Sequence, residues 1–268
     1  MKLGFIGAGN MAGAIIKGFI NKNCVNSSDI YFIRQNKEKQ AQQAKELGIN
    51  GCDDYNSLIE NSNILFLGVK PVVFPTLLPQ IAKSVKKKNP LVVSMAAGLT
   101  TDSIREMLGY DAKIIRIMPN VNAAIAMSTT AVCKNKFASD EDLATIKNLF
   151  STIGLTTEVP ENQFAIFTAI AGCSPAYVYM FIDGLARGAQ KMGMNKQKAL
   201  EIAASAVIGS ASMYAQSNEH PQELVDKVCS PGGTTIEGVT TLEEYKFTAS
   251  VVKAVENSIL KDRELSKK

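Results

Sequence analysis

Residues 2–12 read Lys2-Leu3-Gly4-Phe5-Ile6-Gly7-Ala8-Gly9-Asn10-Met11-Ala12, and this order decides the fold. A short apolar run ending in glycine reads as a buried strand, and Ala12 to Ile20 then carries small and apolar residues at helical spacing. Strand, glycine-rich turn and helix form the setting in which G-x-G-x-x-A works as a dinucleotide fingerprint. Gly7 lets the chain turn sharply out of the strand. Gly9 leaves the backbone open to a pyrophosphate, and small Ala12 lets the helix pack on the sheet with its first N–H groups aimed at the phosphates. A purely structural glycine turn is the alternative for the motif alone; its place between strand and helix favours nucleotide binding.

Working outward, strands are expected at about 30–34, 64–69, 91–95, 113–117 and 129–133, as nearly continuous apolar runs. A polar helix spans about 38–47 and is closed by Gly48. Continuous apolar strands alternating with helices predict a parallel sheet covered on both faces. Beyond Pro160 the texture changes to Ala-, Ile- and Met-rich segments at helical period, with helices expected at about 161–171, 175–192, 196–216, 221–229, 234–242 and 244–263. The segment 197–212 is apolar on most of its circumference, which suits burial in a core or against a second subunit. The fold class is therefore an α/β Rossmann-type domain over 1–161, followed by an all-α domain over 162–268.

The 268 residues are 46% hydrophobic and 20% charged, with a net charge of +4, as expected of a folded globular protein. The basic residues are spread out, apart from Lys86-Lys87-Lys88 and Lys267-Lys268, which read as solvated ends rather than a nucleic-acid face. Five cysteines, Cys24, Cys52, Cys133, Cys173 and Cys229, form no C-x-x-C pair and are odd in number, so reduced thiols and no metal site are expected. The chain opens directly into a strand, and no uncharged apolar run reaches the length of a membrane span. A cytoplasmic protein without membrane contact is expected.

The end of the second strand separates the nicotinamide cofactors. NAD sites carry an acidic residue there for the ribose 2′-hydroxyl. This chain has Arg34-Gln35-Asn36-Lys37, which suits a 2′-phosphate, so NADPH is favoured over NADH as a weaker cofactor. Ordinary surface charges are the alternative for Arg34 and Lys37. Two further strand ends, Gly68-Val69-Lys70-Pro71 and Ser94-Met95-Ala96-Ala97-Gly98, fall where ligands sit in open α/β sheets. Pro71 restricts Lys70 to extended backbone. In the helical half, Ser230-Pro231-Gly232-Gly233-Thr234-Thr235 predicts a turn and a helix start rich in hydroxyls. Its N–H groups suit a carboxylate, although a plain helix cap is the equal alternative. His220, the one histidine, reads as a cap residue before a helix, and the Met residues as core packing.

The stretches GFIGAGNMA at 4–12, LGVKP at 67–71, SMAAG at 94–98, IIRIMPN at 114–120, SPAY at 174–177 and VCSPGGTTIEGVTTLEE at 228–244 together resemble pyrroline-5-carboxylate reductases. The first is shared by many dehydrogenases; the last resembles that family's own signature. The resemblance spans nearly the whole chain and implies reduction of the cyclic imine 1-pyrroline-5-carboxylate to L-proline with NADPH, in a homodimer or a larger homo-oligomer. It implies that Ser230, Gly233, Thr234 and Thr235 hold the substrate carboxylate, with the Thr235 hydroxyl near the ring nitrogen as the catalytic group. Gly7, Ala8, Gly9, Asn10, Met11, Arg34, Asn56, Gly68, Val69, Lys70, Pro71, Ala96, Ala97 and Gly98 would line the NADPH site. Where the family often has Gly-Ser-Gly-Pro, this chain has Gly172-Cys173-Ser174-Pro175, a departure confined to small residues. A 3-hydroxyacid or 6-phosphogluconate type of dehydrogenase is one rival. Such enzymes usually carry a proton-donating lysine in the first helices after the linker, and 161–188 has none. A non-catalytic NADPH sensor is the other, and it would not need the turn at 230–235.

Overall fold

The apolar runs become strands of one 8-stranded sheet. In the computed structural model, which describes residues 1–265, the strands are β1 (Leu3–Ile6), β2 (Ile30–Ile33), β3 (Asn50–Gly51), β4 (Ile64–Leu67), β5 (Leu91–Ser94), β6 (Ile114–Met118), β7 (Ser128–Lys134) and β8 (Gly154–Glu158). The spatial order is β3-β2-β1-β4-β5-β6-β7-β8, so the strand order reverses beside β1. The basic pair Lys267-Lys268 lies outside the described residues. Helices α1 (Asn10–Asn21), α2 (Lys37–Leu47), α3 (Tyr55–Glu60), α4 (Phe74–Lys88), α5 (Thr101–Leu108) and α6 (Asp140–Ser151) connect or flank the strands.

Alternation along each strand explains why both sheet faces are buried. Leu3 and Phe5 of β1, Ile64 and Phe66 of β4, and Val93 of β5 point into one apolar cluster with Ile15, Phe19 and Phe150. Ile6, Leu65, Leu67 and Val92 point into a second one with Leu77, Ile81 and Ile104. A strand buried on both faces must be apolar at every position, which is why these runs show no alternation in sequence.

Three features depart from the expected sheet. β7 pairs antiparallel with β6, with Met118 opposite Ala131. The intervening residues 119–127 form only a short 3₁₀ turn, and a parallel return needs a crossover of about a dozen residues or more. β3 and β8 were not foreseen, because neither Asn50-Gly51 nor Gly154-Leu155-Thr156-Thr157-Glu158 is an apolar run. They form because β2 and β7 offer a free edge to pair with.

Backbone contacts divide the chain into two compact units, one over Met1–Gly172 together with residues 259–265, the other over Cys173–Ser258. The remaining helices are α7 (Phe164–Phe167), α8 (Ser174–Lys191), α9 (Lys196–Gln216), α10 (Pro221–Val228), α11 (Thr234–Glu244) and α12 (Phe247–Leu265). Within the second unit, Tyr177 Oη and Ser258 Oγ are 2.6 Å apart, and Phe181 meets Phe247 with ring centroids 6.0 Å apart.

The two helices expected at 161–171 and 175–192 are one continuous helical stretch, Glu161–Lys191, of 31 residues, and an 18-residue window within it has mean hydropathy 1.6. By length and composition it could cross a membrane, which corrects the expectation that no apolar run is so long. A π-helical segment, Thr168–Cys173, joins α7 to α8. Pro175 has no N–H for the carbonyl of Ala171 four residues before it, and its ring crowds that carbonyl. Asn120 supplies the missing donor: its Nδ2 reaches Ala171 O at 3.0 Å, while its Oδ1 accepts from the N–H groups of Asn122 and Thr129.

Candidate active site

The turn after β1 is built around a left-handed glycine. Gly7 has φ +86°, and its N–H donates to Ile33 O at 3.0 Å, tying the turn to the end of β2. Gly9 is the N-cap of α1, and no side chain caps that helix, so its first N–H groups stay available. A Cβ on Gly9 would meet no protein atom within 4 Å. Packing therefore does not demand glycine there, whereas the approach of a phosphate to the backbone does. Gly68 differs: a Cβ there would lie 2.4 Å from Gly7 O and 3.0 Å from Ala12 Cβ. Its smallness serves the contact between the turns after β1 and β4.

These turns and the end of β2 enclose a cleft of about 820 Å³. Gly7, Ala8, Gly9, Arg34, Gly68, Val69 and Lys70 all line it, with Lys37, Lys39 and Tyr55. Asn10 lines an adjoining hollow that shares Ala8, Gly9 and Arg34. The other residues of the expected NADPH site do not line the cleft. Met11 packs against the first apolar cluster and Ala96 belongs to the second. Exposed Pro71 opens a 3₁₀ turn, with Lys70 extended before it at ψ 146°. Asn56 lies in a separate hollow, where its Oδ1 accepts from Ser84 Oγ. Ala97 is exposed, and Gly98, with φ +79°, shapes the turn between β5 and α5.

The cleft has a cationic rim at the end of β2. Lys37 is spent on the backbone, with Nζ donating to Asp53 O at 3.1 Å. Arg34 is held differently: its guanidinium donates through Nη1 to Gln43 Oε1 at 2.8 Å. Gln40 and Gln43 escaped the sequence reading. The signal for them was their spacing of three along a helix that starts beside Arg34, which puts both on one face.

At the far side of β5, the turn 95–100 is clamped from a distance. Glu161 accepts from Thr101 N at 2.8 Å through Oε1 and from Thr101 Oγ1 at 3.0 Å through Oε2, at the start of α5. Arg116 of β6, 5% exposed, pairs with the same carboxylate at 3.3 Å and lies 4.5 Å from the Phe164 ring centroid. Burial drives the neighbouring Cys133 thiol up to about 12, with the Glu161 carboxylate raising it further and Arg116 opposing.

In the second unit, Ser230 to Gly233 make a turn with Gly232 at φ +66° and Gly233 N–H donating to Ser230 O at 3.0 Å. Gly233 is itself the N-cap of α11, and no side chain caps this helix. Thr234 and Thr235 are thus its first two helical residues, with Ser230 and Thr234 exposed and Thr235 half-buried. The first-turn N–H groups and two hydroxyls remain available to an anion. His220 caps α10 instead, its Nδ1 accepting from Gln222 N at 3.2 Å.

A family model described as "Pyrroline-5-carboxylate reductase dimerisation" matches residues 161–265, and one described as "NADP oxidoreductase coenzyme F420-dependent" matches residues 2–98. Over 266 residues the chain is 40% identical to a protein named pyrroline-5-carboxylate reductase from Escherichia coli (strain K12), covering 99% of this chain and 98% of that one. The crystal structure of 1-pyrroline-5-carboxylate reductase from Streptococcus pyogenes superposes with a TM-score of 0.89 at 37% identity, covering 98% of each chain. That of Plasmodium falciparum pyrroline carboxylate reductase with NADP bound superposes with a TM-score of 0.90 at 29% identity, covering 99% of this chain and 98% of that one. A Rossmann-type sheet, an uncapped glycine turn and agreement along almost the whole length converge on one assignment. The chain belongs to the pyrroline-5-carboxylate reductase family.

Proposed function

We propose that this protein is an NADP-dependent oxidoreductase that reduces 1-pyrroline-5-carboxylate to L-proline, the closing step of proline biosynthesis. The observation that carries the reading is the chain-long likeness to reductases of that name, which includes the loop opening α11. When bound, NADPH supplies the hydride that the imine carbon accepts.

The residues present fit that cofactor. The bare backbone at Gly9 and the free N–H groups of α1 suit its pyrophosphate, and Arg34 suits its 2′-phosphate. For the substrate, the N–H groups at the start of α11, beside Ser230 and Gly233, suit the carboxylate. The Thr235 hydroxyl then holds the proton on the ring nitrogen through Oγ1. A protonated imine is already a strong electrophile, so orientation of the two reactants, worth roughly 7–11 kcal/mol, replaces a potent acid. We read 1–161 as the cofactor domain and 162–268 as the substrate-binding and dimerisation domain of a cytoplasmic homodimer, with no membrane or nucleic-acid partner. The family match over 161–265 supports a homo-oligomer.

The test is an assay of the purified protein with NADPH and 1-pyrroline-5-carboxylate. Loss of reduced-nicotinamide absorbance matched by proline formation is expected. NADPH binding without proline would leave the sensor reading instead.

A further inference from the structure

Two glutamines on α2 hold one arginine in two different ways. Gln40, 6% exposed, accepts from Arg34 N at 2.8 Å through Oε1 and donates through Nε2 to Cys52 O at 2.8 Å. That pair of bonds fixes the backbone at the end of β2 against the residue following β3. Three residues further along the same helix face, Gln43 Oε1 accepts from Arg34 Nη1 at 2.8 Å. The backbone and the guanidinium of Arg34 are therefore both set before any ligand arrives.

We propose that Gln43 is a positioning residue for cofactor choice: it aims the Arg34 guanidinium at the 2′-phosphate without neutralising it. The proposal rests on the reading of Arg34 as the 2′-phosphate ligand. A guanidinium has five N–H donors in a fixed fork, and engaging one at Nη1 orients the plane while the rest remain for a phosphate. An amide acceptor carries no charge, so the full positive charge faces the ligand. No carboxylate pairs with Arg34 among the described residues. A carboxylate at position 43 would be an equally placed acceptor, but it would cancel that charge and repel the phosphate. Holding a long side chain in its bound geometry beforehand lowers the ordering it must undergo on binding. Cofactors without the 2′-phosphate gain nothing from that order, so the effect belongs to NADPH alone.

The test is steady-state kinetics with NADPH and with NADH on Gln43→Leu, Gln43→Glu, Arg34→Ala and the Arg34→Ala/Gln43→Leu double variant. Gln43→Leu should raise KM for NADPH about three- to tenfold, the effect of one hydrogen bond to a charged group, with kcat and the KM for NADH held. Gln43→Glu should be worse than Gln43→Leu for NADPH, the opposite of what a packing or simple acceptor role predicts. In the Arg34→Ala background, Gln43→Leu should add nothing. Equal changes for both cofactors, wild-type behaviour of Gln43→Glu, or additive effects in the double variant would overturn the role of Gln43. If Arg34→Ala leaves cofactor preference unchanged, the reading of Arg34 fails and takes this proposal with it. A preference shifted by Arg34→Ala but not by Gln43→Leu sinks the proposal alone. Should Gln43→Leu fold poorly, Gln43→Met keeps the length and carries the same prediction.

Discussion

With Gly233 as the N-cap of α11, the Thr235 hydroxyl is not needed to close the helix, so cap and catalyst predict different things. If Thr235 Oγ1 accepts the hydrogen bond of the imine proton, Thr235→Ala should lower kcat about tenfold to a thousandfold, the reach of one positioned hydrogen-bonding group. Thr235→Ser should recover much of that, and melting temperature should barely move in either variant. Unchanged turnover in the alanine variant, read beside its melting curve, would remove the hydroxyl from the chemistry. If Arg34 holds the 2′-phosphate as proposed, Arg34→Asp should raise KM for NADPH far more than for NADH, because a carboxylate would face that phosphate. Equal rises would place Arg34 elsewhere. Cys133 and Tyr110 give the alkaline limit. Burial pushes both up to about 12, from ordinary values of 9.0 and 10.0. The unfolded chain thus loses these protons at lower pH than the folded one. Their contribution to stability is whole below about pH 9 and falls as pH rises toward 12. Melting temperature should therefore decline between pH 9 and 11, and less steeply in Cys133→Val. A flat profile in the parent protein would refute this.

Elements here are joined by a few buried polar residues placed where helices and strands end. Asn120 meets the carbonyl that Pro175 cannot serve, so the π segment and the loop after β6 depend on each other. Arg116 and Glu161 tie β6 to the start of α5 and to the head of the long helical stretch. Replacing Arg116 by Leu would leave Glu161 without its cation partner in a half-buried position. The expected loss is roughly 2–3 kcal/mol in denaturant unfolding, less than for a fully buried pair because Glu161 keeps some solvent. Arg116→Leu with unchanged unfolding would show that the Thr101 contacts alone hold the clamp.

For the molecule as a whole, the helical unit buries few of its own apolar side chains, Ala186 of α8 among them. No residue of α10, α11 or α12 is buried among those described, and in α9 only Ala199 and Ala203 are. Ile202, Ile208, Met213 and Val252 of that unit are each about half exposed or more. A second subunit is the expected cover, and these residues lie in the region matched by the dimerisation family. Light scattering at micromolar concentration should return a multiple of the 28.9 kDa chain mass. A single-chain mass would refute it. By itself, the sequence determined whatever a short window encodes. The glycine turn after β1, the doubly buried strands and the helix start at Thr234 each depend on neighbours within one or two turns of chain. Only the tertiary structure decided the antiparallel course of β7, the pairing of β3 and β8, the fusion of two expected helices, and the partners of Arg34 and Arg116. Strand pairing and buried polar contacts join residues far apart in sequence, 45 positions in the case of Arg116 and Glu161. Such pairs obey no local period, because what brings them together is the packing of the chain around them.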